Sequence, residues 1–232
     1  MNTVLFVVTA ASGWTLADGS VHPTGYWGEE LAEPHRIFAQ RGWDVTIATP
    51  GGVAPTLDAA SVRFPTPKTR EVKRYLAQIA PQLATPLALE DVDQRHYDIV
   101  FYPGGHGPME DLAVDPNSGR LLRERLASGR PLALLCHAPA AMFAAGNDDG
   151  SWPFAGYRVT ALMNLEERTN PASRKAKWLL ETRLKEMGAD YRHSTLPLTP
   201  YVVVDRNLYT GQNPMSSAKL TKRIIDDFES GR

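Results

Sequence analysis

PLALLCHAPAAMFAAG (Pro131–Gly146) contains the single cysteine of a 232-residue chain and its sharpest change of pattern. LALLC is a continuous apolar run, of the kind buried on both faces of a parallel sheet. The residues that follow, from His137 through Ala141, are mostly small, and Pro139 suits a first helical turn, where a missing N–H costs little. A strand that turns tightly into a helix pushes the junction side chain outward, the geometry of a nucleophile elbow. Cys136 occupies that junction, and ligands of such sheets bind beyond the carboxyl ends of the strands. The helix N-terminus and any nearby imidazolium would both favour its thiolate. A lone cysteine is otherwise a small buried hydrophobe, so the elbow pattern carries the argument. His137 either pairs with the thiol or lies beside it with its ring turned away.

Outward from the elbow, strand and helix patterns alternate. VLFVV (Val4–Val8) is a second doubly buried strand, followed by a helix over about 26–41 whose inner face includes Leu31, Ile37 and Phe38. RGWDVTIATPGG adds a strand and a glycine stop, which makes a βαβ unit. The proline-rich stretch from Ala54 to Pro86 reads as an insertion or flap upon the domain. YDIVFYPGGHG (Tyr97–Gly107) is a strand ending in a glycine turn, and a helix at Ser118–Ser128 leads back to the elbow. Further elements are expected as a helix from about Ala138, a strand at Tyr157–Leu162, a helix at Ser173–Met187, a strand pair in YVVVDRNLYTG and a last helix at Ser216–Glu229. The sum is an α/β fold: one doubly wound, mostly parallel sheet sandwiched by helices.

In YPGGHG the paired glycines let backbone N–H groups approach a ligand oxygen, so Gly105 with His137 could form an oxyanion hole. The turn is neither a GxGxxG dinucleotide fingerprint nor a GK[ST] phosphate loop. With 25 basic against 26 acidic residues and no basic tract, nucleic acid is not an expected partner. MNTVLFVVTAASGW lacks a basic leader and its apolar run is too short to span a membrane, so the expectation is a soluble, cytoplasmic protein. One cysteine leaves no internal disulfide and no cysteine zinc cluster. His22, His35, His96, His106 and His193 show no ligand spacing, and no metal is expected. Trp14, Tyr26 and Trp27 either line a pocket mouth or anchor a loop. Asn213 and Ser216 either approach the site or cap the last helix.

The motifs VLFVVT, HPTGYWGEELAEP, TPGG, YDIVFYPGGHG, LALLCHAPAAM, VTALMNLEE and YTGQNPMSS occur in that order. Together they resemble the ThiJ/PfpI superfamily across nearly the whole chain, and more narrowly its glutathione-independent glyoxalase III and heat-shock chaperone branch. The resemblance implies a flavodoxin-like, class I glutamine amidotransferase-like single domain over 1–232, with the flap at about 54–86, and a homodimer. It places the family's nucleophile on Cys136, its histidine on His137, its acids on Glu30 and Glu167, and its oxyanion glycine on Gly105. The residues alone do not choose between Glu29 and Glu30, nor between Glu166 and Glu167. First-turn acids serve the helix dipole, and loop acids are commonly solvated. VTALMN departs from relatives that more often have glycine and phenylalanine after the threonine, which bears on pocket shape.

The implied activity is that of a cofactor-independent lyase, a glyoxalase III or D-lactate dehydratase, acting on methylglyoxal and similar small 2-oxoaldehydes. The alternative from another class is a stress-response holding chaperone, with protein deglycation as a related activity. A cysteine peptidase or amidase ranks below both. Class I amidotransferases use a His-x-Glu pair, and no histidine here has glutamate two places on.

Overall fold

The computed structural model describes residues 1–231. In chain order the strands are β1 (Thr3–Val7), β2 (Gly13–Thr15), β3 (Val21–Pro23), β4 (Asp44–Thr49), β5 (Leu87–Ala88), β6 (Ile99–Tyr102), β7 (Leu132–Leu135), β8 (Arg158–Val159), β9 (Asp190–Tyr191), β10 (Val202–Asp205) and β11 (Leu208–Gly211). The helices are α1 (Gly28–Gln40), α2 (Pro67–Gln78), α3 (Ala80–Ala84), α4 (Pro116–Ala127), α5 (Asn164–Glu167), α6 (Leu180–Glu186) and α7 (Ser217–Glu229). Seven strands form the central sheet in the order β10-β11-β7-β6-β1-β4-β5. Every pairing in it is parallel except β10 with β11.

Alternation along β1 explains why the sheet is buried on both faces. Val4, Phe6 and Val8 join α1 and α7 through Leu31, Phe38, Leu220 and Ile224. Leu5 and Val7 face the other way, into a core with Leu121 and Leu122 of α4 and with Met142, Phe154 and Leu184. Each such side chain contributes roughly 1.5–3 kcal/mol of burial. Among the described residues no helix is long and apolar enough to cross a membrane. At the amino end of the sheet Arg125 is fully buried, and its guanidinium donates to the carbonyls of Pro131, Tyr97 and Asp98.

The chain order reverses between β1 and β6, and the loops that leave the carboxyl ends of β1, β6 and β7 meet there. Several local expectations change. The stretch after the cysteine, Ala138–Ala145, is a 3-10 helix, not an α-helix. Six of its eight residues are buried, and Gly119 of α4 lies so close that a Cβ there would sit 2.0 Å from the Ala144 carbonyl. Of the expected strand Tyr157–Leu162 only β8 pairs, with β9, outside the main sheet. Its continuation instead serves the elbow, with Leu162 N–H donating to the Cys136 carbonyl at 3.0 Å. The expected helix Ser173–Met187 shrinks to α6. An Asn170 side chain caps a 3-10 turn at Pro171–Lys175, and Leu179 is extended. Within 54–86, α2 packs on α1, and on either side of Leu57 the Asp58 N–H donates to the Tyr26 carbonyl while the Tyr26 N–H donates to that of Thr56.

Candidate active site

Cys136 follows the last residue of β7 and has a φ of 60°, in the left-handed region that costs a non-glycine residue roughly 1–2 kcal/mol. The conformation is held from both sides: Cys136 N–H donates to the Gly211 carbonyl at 2.8 Å, and its own carbonyl takes the Leu162 N–H. The elbow expected from sequence is therefore present. The residue is 3% exposed, so the site is nearly closed.

Two buried carboxylates flank it. Glu30, in the first turn of α1, is completely buried; its Oε2 accepts the Gly104 N–H at 3.0 Å and its carboxyl interacts with the Cys136 thiol. Its Oε1 is buried without a hydrogen-bond partner. The close approach needs glycine: a Cβ on Gly104 would lie 2.5 Å from Glu30 Oε2, and one on Gly105 would lie 2.4 Å from the Gly25 carbonyl. Trp27 N–H donates to the Gly104 carbonyl, and Gly107 N–H to that of Gly25, which seats α1 against the glycine turn. Burial pushes the Glu30 carboxyl up to about 8, opposed by its contacts with the thiol and Gly104. Burial and the neighbouring Glu30 likewise push the Cys136 thiol well up. The expected preference for thiolate is thus overturned at rest. A low-dielectric pocket shared with an acid outweighs a short 3-10 helix, and the pair holds its proton.

Glu167 belongs to the other flank. The Cys136 Sγ lies 3.4 Å from His137 Nδ1, and His137 Nε2 lies 2.5 Å from Glu167 Oε2. The two adjacent side chains do point together, settling what the sequence left open. Glu167 Oε1 takes the Ser173 hydroxyl and lies 3.0 Å from His106 Nε2. Burial would raise this carboxyl, but His137 and His106 outweigh it and hold it well below the usual range. With an ionised carboxylate at Nε2, His137 carries its proton there and offers the Nδ1 lone pair to the thiol.

The neighbouring acids have other work. Glu29 is half-buried beside Lys68 at 3.3 Å. Glu166 accepts from Leu198 N–H at 2.6 Å, Asn213 Nδ2 at 2.8 Å and Gln212 Nε2 at 3.1 Å. Asn213 and Ser216, bonded to each other, brace Glu166; Ser216 makes no side-chain cap on α7. Trp14 stacks on the His106 ring at 4.7 Å, while Tyr26 is buried at the Leu57 bridge. His106 is the residue that sequence reasoning missed. Burial, then the nearby His137, lowers its basicity, and its ring centroid is 4.2 Å from that of His137. Its place in the YPGGHG turn, beside the expected oxyanion glycine, was the available signal. Among the described residues no acceptor takes the backbone N–H of Gly105 or His137.

A strained cysteine at a doubly wound sheet's edge, paired to histidine and flanked by two acids, fits one class. The DJ-1/PfpI family matches residues 23–227, and the chain belongs to it. Glutamine amidotransferase-like class 1 domain-containing protein 1 of Xenopus laevis is 30% identical over 190 residues, covering 81% of this chain and 79% of that protein. Protein/nucleic acid deglycase HchA of Pseudomonas aeruginosa is 28% identical over 234 residues, covering 94% of this chain and 78% of that one. The structure of glyoxalase III from Candida albicans superposes with a TM-score of 0.84 over 99% of this chain and 98% of that one; at 24% identity the likeness is one of fold.

Proposed function

We propose that the chain is a cofactor-independent glyoxalase that converts small 2-oxoaldehydes such as methylglyoxal to 2-hydroxy acids. The observation that carries this is Glu30, a buried carboxyl with a raised affinity for protons, set against the thiol. A hydrolase that only cleaves acyl bonds needs the cysteine and histidine. An internal redox isomerisation also needs a group that moves a proton between adjacent carbons.

The thiol of Cys136 passes its proton to His137 Nδ1, and sulfur adds to the aldehyde carbon. The oxygen that gains charge is taken by the N–H groups of Gly105 and His137, then protonated, giving a hemithioacetal. Glu30, as carboxylate, removes the C–H proton from that carbon, and an enediol forms. Returning a proton to the neighbouring carbon gives the 2-hydroxy thioester. Water attacks the thioester with His137 as base, releasing the 2-hydroxy acid and restoring the thiol. The sum is aldehyde plus one water, with no external oxidant or reductant. Glu167 keeps the His137 ring oriented throughout.

The deglycase name of the HchA relative favours a second reading, in which the same cysteine works on 2-oxoaldehyde adducts of amines or thiols. D-lactate formed from methylglyoxal without glutathione tests the first. Wild type is expected to make it, Cys136→Ala none, and Glu30→Gln a trace. No D-lactate from wild type would contradict the proposal. Protection of unfolded clients that survives Cys136→Ala would instead indicate a holding chaperone.

A further inference from the structure

We propose that His106, His137 and Glu167 form a binding site for one zinc-class divalent cation, and that the bound ion switches the cysteine off. The three residues come from the glycine turn after β6, from the elbow after β7 and from α5. Sequence spacing does not connect them, yet their ligand atoms all lie within 4.8 Å of one another and all three side chains are buried. The two Nε2 atoms converge on the two oxygens of one carboxylate, at 3.0 and 2.5 Å. Neither of the two acids beside Glu30 and Glu167 in sequence shares this arrangement, since Glu166 is occupied by amides and Glu29 by a lysine.

Two imidazoles and one carboxylate suit zinc and its transition-metal neighbours. Magnesium and calcium prefer all-oxygen sites. Three protein ligands leave a fourth position of a tetrahedral ion for water. Each ligand is also steadied from outside the cluster. Ser173 donates to Glu167 Oε1, Trp14 stacks on His106, and His137 Nδ1 faces the Cys136 sulfur.

Binding requires the lone pair on both Nε2 atoms, so the proton each ring holds there must leave or move to its Nδ1. On His137 a proton at Nδ1 faces the sulfur, and the ring can no longer accept one from the thiol. Glu167 is withdrawn in the same event. The binding stands on the geometry alone, whereas the inhibition rests on the roles proposed above for Cys136 and His137.

Calorimetric titration of the chelator-treated full chain with Zn²⁺ tests it. Wild type is expected to take up one ion per chain. His106→Asn should weaken uptake at least about tenfold, and Cys136→Ser should leave it in place. Co²⁺ titrated into wild type needs no variant to fold, and should give d–d absorption without a thiolate charge-transfer band. Lack of stoichiometric uptake by wild type, uptake that survives His106→Asn, or a thiolate band with Co²⁺ would overturn the site. Zn²⁺ should abolish D-lactate formation and a chelator restore it. Turnover that persists with one ion bound would overturn the inhibition, while a metal-free protein without turnover would count against the glyoxalase reading.

Discussion

Glu30 and Glu167 are both buried glutamates within reach of one cysteine, and their surroundings drive them in opposite directions. Glu30 has one backbone donor, a thiol and an unpartnered oxygen, so desolvation prevails and the carboxyl keeps a proton up to about 8. Glu167 has His137, His106 and Ser173 on its two oxygens, and the charged form prevails although it too is buried. The difference assigns the work: a carboxyl that exchanges protons near neutrality can carry them, and one held ionised can only orient a base.

The variants that break this comparison fall in order of effect. Cys136→Ala should reduce turnover to background, by about 10⁵-fold or more, in a lactate assay. Glu167→Gln should cost about 10³–10⁴-fold in kcat, because His137 loses the anion that fixes its tautomer. Glu30→Gln should cost about 10²–10³-fold and remove a rise in kcat/KM as pH climbs towards about 8, the range in which Glu30 becomes a carboxylate.

Stability should show the same opposition in sign. The Glu30 carboxyl binds its proton more tightly folded than unfolded, so its contribution is full below the ordinary glutamate range and lost as pH rises through about 8. Between pH 6 and 9 the loss is about 2–3 kcal/mol, and Glu30→Gln should flatten it in urea titrations at those two pH values. Glu167 contributes above the ordinary range and loses stability as pH falls below it. The smallest effect on turnover is expected from Glu166→Gln. It should lower stability by about 1–3 kcal/mol through unmatched amides while keeping activity within about tenfold.

The sheet was legible because strands buried on both faces leave unbroken apolar runs, as in Val4–Val8 and Leu132–Leu135. The elbow was legible because small residues follow the cysteine. Local helix type was not: the pattern after Cys136 reads as helix, but the 3-10 winding of those eight residues is a matter of packing across the core, where Gly119 lies against the Ala144 carbonyl. The choice within each glutamate pair was equally hidden, because neighbours on a helix differ by 100° in direction and only tertiary packing decides which partners each one meets. Resemblance to the family selected Glu30 and Glu167, and the geometry brings Glu30 to the cysteine and Glu167 to its histidine. His106 escaped because its partners lie 31 and 61 residues away, at 137 and 167. Nothing local marks it beyond its place in a glycine turn.

Carboxyl titration by NMR of protein labelled with ¹³C at glutamate Cδ, with Glu30→Gln and Glu167→Gln for assignment, tests the central claim most directly. One resonance, absent in Glu30→Gln, should titrate near 8, and the one absent in Glu167→Gln should stay ionised until acid unfolding. Both glutamates titrating together in the ordinary range would contradict the division of roles, and with it the proton transfer assigned to Glu30.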